Sequence, residues 1–251
     1  MKKNVAVIIL AAGLGTRMKS NKAKVLHEIQ GNPMIIYVVE TARMVAGDNV
    51  IVVIGNQAEK VREILSAKGE MIFANQEKQL GTAHAALCAL PCIPDHCEEV
   101  VILCGDVPLI LPDTVSSLVD SHLQAHRDVS LLAVELQDPC GYGRILFDED
   151  NQLIGIIEET DASAEQKHIK LVNAGIYCVN KVFLMNVLPK IRSNNAQAEL
   201  YLTDMIAIGY EEKRNMGVMI AKDSQEILGI NNCQDLEKVD ALMKKRMQII
   251  S

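Results

Sequence analysis

The sequence predicts a doubly wound, Rossmann-like α/β domain around a mainly parallel sheet. Short apolar runs rich in Val and Ile alternate along the chain with amphipathic stretches of helical period, which is βαβα order. The apolar runs are continuous rather than alternating, as is typical of strands covered by helices on both faces. With 251 residues, the chain is long enough for one such domain or for two smaller ones.

The predicted elements of the first half follow one another closely. Strands are predicted at 5–10, 50–55, 71–74, 100–106 and 129–136. Helices are predicted near 34–46, near 58–67, from about 82 and near 112–125. Because helices separate these strands, we expect a mainly parallel sheet with helices on both sides.

The rhythm changes after residue 136, where the next segment is typical of two strands joined by the turn residues Asp148 to Asn151. We expect this part to form a small inserted lobe, which makes the sheet mixed. The remaining predicted elements are a strand at 173–180, helices near 181–189 and 202–211, a strand at 216–221 and a polar helix near 234–247. The expected organisation is a single domain, 1–251, with its core at about 1–136 and 206–251 and its lobe at about 137–205.

Composition and charge exclude several classes of protein. A formal charge of −7 argues against a nucleic-acid or anionic-membrane surface, since both require a broad basic patch. No apolar stretch approaches the roughly 20 residues of a membrane span, and the short N-terminal run is followed at once by cations, unlike a signal peptide. The seven cysteines fit reduced thiols rather than a disulfide framework. We expect a cytoplasmic protein that binds neither nucleic acid nor membrane.

Two groups of possible metal ligands lack the spacing of a known metal site. His122 and His126 lie four residues apart on a predicted helix, but no H-E-x-x-H frame surrounds them. Cys88, Cys92 and Cys97 lie close together without a C-x-x-C pair. We expect the histidines to be exposed helix residues and the cysteines to be small buried hydrophobes.

The segment LAAGLGTRMKSNKAK, directly after the first strand, nearly matches two phosphate-binding loops. Met18 takes the third glycine position of G-x-G-x-x-G and the second glycine position of G-x-x-x-x-G-K-S. Gly13 and Gly15 still let the backbone approach a ligand, and successive N–H groups there can form an anion nest. Arg17 offers a planar fork and Lys24 a mobile charge. The pattern favours phosphate binding over a glycine-rich turn with solvated cations.

Asp106 ends the apolar run VVILCGD, where a carboxylate needs a task or a partner. In open α/β sheets, the loops at the carboxyl ends of the strands bind ligands, so this residue and the loop after the first strand should share one edge. Mg²⁺ is a natural partner, since it takes few protein oxygens and completes its shell with water and substrate phosphate. Asp106 could instead cap the following helix. Both interpretations stay open on this residue alone.

Motifs along nearly the whole chain resemble one enzyme family. In order they are LAAGLGTRM with Lys24, VLHEIQG, NQEKQLGTAHA, GDVPL, GYGRI, NAGIY, AELYLTD and GINN. LAAGxGTRM alone marks the broad nucleotidyltransferase superfamily. QLGTAHA, GYGRI and GINN at these spacings are similar to the N-acetylglucosamine-1-phosphate uridyltransferase domain of sugar-nucleotide pyrophosphorylases. Met18 is part of the LAAGxGTRM motif. The resemblance implies a fold of the nucleotide-diphospho-sugar transferase type.

The resemblance implies roles for residues in most of these motifs. Twelve residues would contact the nucleotide: Leu10, Ala11, Ala12, Gly13, Gly15, Thr16, Lys24, Gln76, Gly81, Thr82, Cys104 and Gly105. Among them, the residues that contact uracil would be Gln76, Gly81 and Thr82. The sugar would be bound by Gly143, Glu158 and Asn173, and Mg²⁺ by Asp106 and Asn231. The catalytic residues would be Arg17, Lys24 and Asp106. Singly, several of these residues also fit turns, caps or exposed polar positions.

The implied reaction converts UTP and N-acetylglucosamine 1-phosphate to UDP-N-acetylglucosamine and pyrophosphate, with Mg²⁺ as cofactor. Its partners would be these small molecules, and the chain would be a monomer or a weak homo-oligomer. Two residues depart from the family pattern: Ala23 stands where Pro usually precedes Lys24, and Cys104 replaces a common Tyr before Gly-Asp. These departures leave open a related transferase with another NTP or sugar. A non-catalytic nucleotide-sugar-binding protein is a further alternative.

The sequence contains no hexapeptide-repeat β-helix after its polar helix. In the family that this chain resembles, such a β-helix forms the acetyltransferase half and builds a trimer. We therefore expect the chain neither to bind acetyl-CoA productively nor to acetylate glucosamine 1-phosphate.

Overall fold

A mixed sheet flanked by helices forms the body of the molecule in the computed structural model, which describes residues 4–250. The strands are β1 (Val5–Leu10), β2 (Glu28–Ile29), β3 (Asn32–Pro33), β4 (Val50–Ile54), β5 (Ile72–Asn75), β6 (Glu99–Cys104), β7 (Val129–Glu135), β8 (Arg144–Phe147), β9 (Leu153–Ile157), β10 (Leu171–Asn180) and β11 (Met216–Ile220). The α-helices are α1 (Met34–Ala46), α2 (Ala58–Ser66), α3 (Thr82–Ala89), α4 (Pro112–Gln124), α5 (Lys181–Val187), α6 (Asp204–Glu211) and α7 (Cys233–Ile250).

The central sheet has the strand order β11-β7-β10-β6-β1-β4-β5, and the hairpin β8–β9 joins it at β10. The strands β6, β1, β4 and β5 are parallel, and so are β7 and β11. β10 runs antiparallel between β6 and β7. From β1 the chain crosses to β4 and β5 on one side and then returns to β6 on the other. Ligands of open α/β sheets bind at such a reversal of strand order, beyond the carboxyl ends of the strands.

Two hydrophobic cores lie on opposite faces of the sheet. Along β1, Val5, Val7 and Ile9 pack into the core beneath α1, α2 and α4. The alternate residues Ala6 and Ile8 pack into the core beneath α3, α5 and α6. Since successive side chains of a strand point to opposite faces, a strand buried on both sides must be apolar throughout. The continuous apolar runs of the sequence follow from this arrangement.

Local sequence explains where several elements begin. α4 starts at Pro112, a residue favoured in the first helical turn because its missing N–H would have no partner there. Asn180 caps α5, since its Oδ1 accepts hydrogen bonds from the backbone N–H groups of Val182 and Phe183 at 3.1 and 3.3 Å. The predicted turn after β8 is confirmed, with Asp148 N donating to Gln152 O at 3.0 Å.

The expectation about His122 was wrong, because this side chain is only 1% exposed. Its Nε2 lies 3.0 Å from Oε2 of Glu99 on β6, and its Nδ1 lies 3.0 Å from Oγ of Ser130 on β7. His122, Glu99 and Cys178 offer ligand atoms within 4.8 Å of one another. Both ring nitrogens of His122 already have partners, so hydrogen bonds that attach α4 to the sheet account for this cluster. His126 is exposed, as expected.

The segment predicted as an inserted lobe contains β10, which lies in the central sheet. The β8–β9 hairpin attaches to β10 at the pair Val172 and Arg144. The division into a core and a sugar-binding lobe stays a prediction. The pair β2 and β3 was missed, because strands of two residues carry no periodic pattern. Within residues 4–250, no helix is both long and apolar enough to cross a membrane.

Candidate active site

The loop after β1 folds back over Lys24. Gly15 has a φ of 64°, and a Cβ atom there would lie 2.6 Å from Cβ of Lys24, so only glycine allows this close approach. Met18 is 2% exposed and packs in a small third core with Ile29 on β2 and Val239 on α7. This packing explains why Met18 departs from the glycine of the two phosphate-loop motifs: the side chain anchors the loop.

Lys24 connects the loop after β1 to the turn after β6. Its ammonium group donates to Oδ2 of Asp106 in an ion pair whose side chains are 15% and 23% exposed. It also donates to Oδ1 of Asn231 at 2.9 Å. The backbone oxygen of Asp106 accepts from Ile230 N at 3.0 Å, which ties this turn to the segment before α7. Asp106 thus has an ion-pair partner, and it lies well before the start of α4.

Asn231 is positioned by the start of α7. Its backbone N–H donates to Oδ2 of Asp235 at 2.8 Å. The backbone N–H of Asp235 in turn donates to Oδ1 of Asn232 at 2.9 Å. Asn232 N donates back to Asp235 at 3.2 Å, which is the reciprocal pattern of a capping box. The Asn231 side chain also accepts from Nη2 of Arg17 at 3.1 Å. We call Arg17, Lys24, Asp106 and Asn231 the Lys24 cluster.

The Lys24 cluster combines two cations with one carboxylate and one amide. Its net positive charge and its guanidinium fork suit phosphate oxygens. The oxygens of Asp106 and Asn231 both contact a single ammonium nitrogen, so they converge on a space that one cation fills. Carboxylate and amide oxygens are the hard ligands that Mg²⁺ accepts, usually few in number. The residues present therefore fit a magnesium ion held with the help of substrate phosphates.

A cleft of about 480 Å³ opens beside the Lys24 cluster. Eleven of the twelve predicted nucleotide-contacting residues line it: Leu10, Ala11, Ala12, Gly13, Gly15, Thr16, Lys24, Gln76, Gly81, Thr82 and Cys104. Gly105, the twelfth, is absent from the lining, and its N–H donates to Leu10 O at 2.9 Å. The cleft also contains residues that the sequence did not single out: Leu14, Val25, Gln79, Ala85 and Glu199. All five lie within the quoted motifs: Leu14 in LAAGLGTRM, Val25 in VLHEIQG, Gln79 and Ala85 in NQEKQLGTAHA, and Glu199 in AELYLTD.

The far end of the cleft brings Gln76, Gly81 and Thr82 together. Gln76 is 4% exposed, and its Nε2 donates to the backbone oxygen of Gly81 at 3.0 Å. Gly81 has a φ of 115°, and a Cβ atom there would lie 2.4 Å from the backbone oxygen of Leu200. Thr82 Oγ1 accepts from Leu202 N at 2.9 Å. The segment before α6 therefore packs tightly against the start of α3.

The three predicted sugar-binding residues also lie together. Asn173 N donates to Gly143 O at 2.9 Å, and a Cβ atom on Gly143 would lie 3.4 Å from both carboxylate oxygens of Glu158. Glu158 and Arg17 line a cavity of about 210 Å³. The side chain of Asn173 holds an irregularity of β10, since its Nδ2 donates to the Tyr177 hydroxyl at 2.7 Å and its Oδ1 accepts from Gly175 N at 3.0 Å.

Burial raises the pKa of two groups near the cleft. It raises the pKa of the Glu158 carboxyl, an effect that a hydrogen bond from Thr203 Oγ1 at 3.2 Å partly offsets. Burial and the negative charge of Asp106 raise the pKa of Cys104 to about 12. Cys104 therefore remains a neutral thiol, and its Sγ donates to Gly175 O at 3.5 Å. This residue adds no charge to the phosphate edge of the cleft.

A larger cavity, of about 990 Å³, lies at another part of the surface. It is lined by residues of β11 and of the β8–β9 hairpin, together with Tyr210 and Arg214. None of the predicted site residues lines it. Most of the residues predicted to contact the nucleotide line the smaller cleft at the strand-order reversal instead.

Comparison with known proteins gives the family of this fold and cleft. Residues 7–169 match the family model of the MobA-like NTP transferase domain, which is more than half of the chain. The chain belongs to the MobA-like NTP transferase family. This match confirms that the predicted enzyme class is a nucleotidyltransferase, and the matched segment includes the loop after β1 and Asp106.

The chain aligns with known relatives over almost its whole length. The chain is 44% identical over 248 residues to "Bifunctional protein GlmU" of Desulfotalea psychrophila, covering 98% of this chain and 73% of that protein. It is 42% identical over 248 residues to the protein of the same name from Caldicellulosiruptor saccharolyticus, covering 98% of this chain and 53% of that protein. The chain thus spans about half to three quarters of the length of these relatives. The resemblance inferred from the motifs is confirmed.

A solved structure shares the fold of the NTP transferase domain. It is named as a glucose-1-phosphate thymidylyltransferase of Bacillus anthracis in complex with a sucrose, and its sequence is 18% identical. The TM-score is 0.74, with 95% of this chain and 94% of the other covered. The predicted fold class, a doubly wound mixed sheet of the nucleotidyltransferase type, is confirmed.

Proposed function

We propose that this NTP transferase domain forms UDP-N-acetylglucosamine and pyrophosphate from UTP and N-acetylglucosamine 1-phosphate, with Mg²⁺ as cofactor. The observation that carries the proposal is the Lys24 cluster, which places two cations, a carboxylate and an amide at the reversal of strand order. The motifs QLGTAHA, GYGRI and GINN support uracil and N-acetylglucosamine as the specific groups. The relatives named GlmU agree with this assignment.

The proposed reaction needs no covalent intermediate. A phosphate oxygen of N-acetylglucosamine 1-phosphate attacks the α-phosphorus of UTP, a new P–O bond forms, and the bond to the β-phosphate oxygen breaks as pyrophosphate leaves. Charge on the phosphates has to be stabilised as this happens, so positioning and electrostatics dominate catalysis. Lys24, which lines the cleft, would contact the α-phosphate, and Arg17 the leaving pyrophosphate.

Asp106 and Asn231 would hold the magnesium ion. When bound, Mg²⁺ neutralises phosphate charge and orients the phosphate oxygens for an in-line displacement. Lys24 contacts both of these oxygens. The protein would thus hold the Asp106 carboxylate and the Asn231 amide oxygen close together, next to the phosphates of the substrate.

The sugar would lie against Gly143 and Glu158, on the side of the cleft where Arg17 and Glu158 share a cavity. Absence of a side chain at Gly143 leaves room next to the Glu158 carboxylate. Asn173 has already committed one amide hydrogen and one lone pair to β10, so it would bind the sugar with those that remain. Cytoplasmic location and a monomeric or weakly associated state remain expectations of the same proposal.

The test is pyrophosphate release by the purified chain with four NTPs and three sugar 1-phosphates, with and without Mg²⁺. We expect the fastest release with UTP and N-acetylglucosamine 1-phosphate, and none after chelation. Asp106→Asn keeps the size of the side chain but removes its charge, and should lower turnover by roughly 10² to 10³ with the fold intact. Full activity of Asp106→Asn, or preference for another substrate pair, would contradict the proposal.

A further inference from the structure

The amide of Gln76 is held in one orientation by two contacts to its nitrogen. Nε2 lies 3.0 Å from the backbone oxygen of Gly81 and 3.0 Å from Nδ1 of His84. A carbonyl oxygen accepts hydrogen bonds and donates none, so the atom that faces Gly81 has to be the amide nitrogen. The two amide hydrogens then point to Gly81 and His84, which leaves Oε1 for a ligand in the cleft that Gln76 lines.

The same contacts determine where His84 carries its proton. Nδ1 faces an N–H of Gln76 and must accept, so the neutral ring carries its hydrogen on Nε2. Nε2 lies 3.9 Å from Sγ of Cys88, one helical turn further along α3. A thiol sulfur is a weak hydrogen-bond acceptor, so a hydrogen on Nε2 can face Cys88. The contact with Gln76 already determines the tautomer, so this assignment does not depend on Cys88.

The backbone of Gln76 is fixed as firmly as its side chain. Its N–H donates to Ile54 O at 2.8 Å, and its carbonyl oxygen accepts from Nε2 of Gln79 at 3.3 Å. The residue is 4% exposed, so it has little room to change its position. The remaining freedom is a half-turn of the amide group, which would exchange its oxygen and nitrogen.

We propose that His84 is a positioning residue for base selection, because it holds Gln76 with Oε1 toward the cleft. The inference rests on the proposed function, in which Gln76 contacts the base. An oxygen that only accepts pairs with the ring N–H of uracil, whereas the corresponding ring nitrogen of cytosine has no hydrogen and is itself an acceptor. Mispairing leaves a buried polar group unsatisfied, which is costly. The amide orientation therefore favours UTP over CTP.

Two variants of equal polarity separate the positioning role from a structural one. In His84→Asn the oxygen is bonded to Cγ, as Nδ1 is in histidine, so an acceptor remains opposite Gln76. In His84→Gln the amide lies one bond further out, near the position of Nε2, and the site opposite Gln76 loses its acceptor. Cys88→Ala is the matched control on the same helix.

The readout is the ratio of the dissociation constants of CTP and UTP, measured by calorimetry, together with the ratio of kcat/KM values. We expect His84→Asn and Cys88→Ala to keep the wild-type ratio within about threefold. His84→Gln should lower the ratio about tenfold, the effect of losing one hydrogen bond, mainly through KM for UTP. An unchanged ratio in His84→Gln, or an equal loss in His84→Asn, would overturn the proposal.

A spectroscopic measurement tests the same inference without catalysis. In ¹⁵N-labelled protein, the His84 ring, assigned by comparison with His84→Gln, should show a hydrogen on Nε2 and none on Nδ1. The opposite tautomer would overturn the proposal. If the wild-type chain binds UTP more tightly than CTP, His84→Gln loses this preference and neither nucleotide is turned over, the proposed function fails while the role of His84 in base selection stands.

Discussion

Lys24 connects segments from both sides of the strand-order reversal through its ammonium nitrogen, which contacts one side-chain oxygen of Asp106 and one of Asn231. Its ammonium nitrogen contacts Asp106, which follows β6, and Asn231, which precedes α7. Removing the ammonium would leave a carboxylate and an amide facing each other without their shared donor. One substitution of Lys24 therefore removes both its proposed role in binding phosphate and its contacts with Asp106 and Asn231.

Lys24→Ala should lower kcat by roughly 10² to 10³, the range for one charged group that stabilises a transition state. Lys22→Ala is the matched control in the same loop, because Lys22 forms an exposed ion pair with Glu28 at 2.8 Å and does not line the cleft. Steady-state kinetics of pyrophosphate release measures both. Loss of kcat in Lys22→Ala with normal kcat in Lys24→Ala would transfer the role to Lys22.

Adjacent carboxyl groups at Glu158 and Glu159 should respond to pH with opposite signs. Burial raises the pKa of Glu158, so its contribution to stability is present at acid pH and is lost as pH rises through that raised pKa. A hydrogen bond from Arg144 at 2.6 Å lowers the pKa of Glu159, so its contribution is present at neutral pH and is lost on acidification.

Glu158→Gln should therefore raise the thermal midpoint at pH 7–8 and leave it unchanged near pH 4, because glutamine does not ionise. Glu159→Gln should lower the midpoint at pH 7–8, with a difference that shrinks as pH falls below the lowered pKa of Glu159. Thermal unfolding followed by circular dichroism at several pH values measures both. The same sign for both variants at neutral pH would contradict the assigned environments.

At the scale of elements, α7 acts on the site through its first turn. The capping box of Asn232 and Asp235 fixes the backbone that presents Asn231 to Lys24. Along the helix, Val239 and Met243 pack with Ile29 of β2, and Gln30 N donates to Oδ1 of Asp240 at 2.8 Å. A helix that the sequence marks only as polar thus supports one edge of the Lys24 cluster.

Asp235→Ala should destabilise the protein by about 1 kcal/mol, the usual cost of losing a helix cap, and lower turnover by loosening Asn231. Asp235→Asn keeps an acceptor oxygen and should recover most of both effects. Glu237→Ala, an exposed position in the same helix, is the control. Urea unfolding and initial rates provide the two measurements. Normal turnover in a destabilised Asp235→Ala would show that Asn231 needs no support from the cap.

The elements themselves were largely predictable, and their pairing was not. The apolar run at 5–10 predicted β1 with its observed bounds, and the pattern at 34–46 predicted α1 with its observed bounds. Each segment shows the hydrophobic pattern of its own secondary structure without reference to the rest of the chain. β10 is as apolar as its neighbours, so nothing in its sequence shows that it enters the sheet antiparallel between β6 and β7. His122 was misjudged for a similar reason: its partners Glu99 and Ser130 are distant in sequence and close only in the fold.

Across the whole molecule, the site combines segments from both sides of the strand-order reversal. Loops after β1, β5 and β6 line the cleft. Of the predicted sugar residues, Gly143 directly precedes β8, Glu158 directly follows β9 and Asn173 lies in β10. The family resemblance named residues that the fold brings together, since eleven of the twelve residues expected to contact the nucleotide line the cleft. It could not predict that Asn173 also serves β10, because that depends on the Tyr177 hydroxyl and on the conformation of Gly175.

Selection between sugars tests whether these distant segments act together. Glu158 and the remaining hydrogen-bonding groups of the Asn173 amide can bind the N-acetyl and hydroxyl groups of the sugar. A site built to hydrogen-bond a buried polar group of its substrate rejects an analogue that lacks this group. We therefore expect kcat/KM with UTP to be highest for N-acetylglucosamine 1-phosphate and lower for glucosamine 1-phosphate and glucose 1-phosphate. Glu158→Gln should reduce this preference while changing the ratio of UTP to CTP little. Equal values for the three sugars, or a preference for glucose 1-phosphate, would assign the site to a related sugar-1-phosphate nucleotidyltransferase.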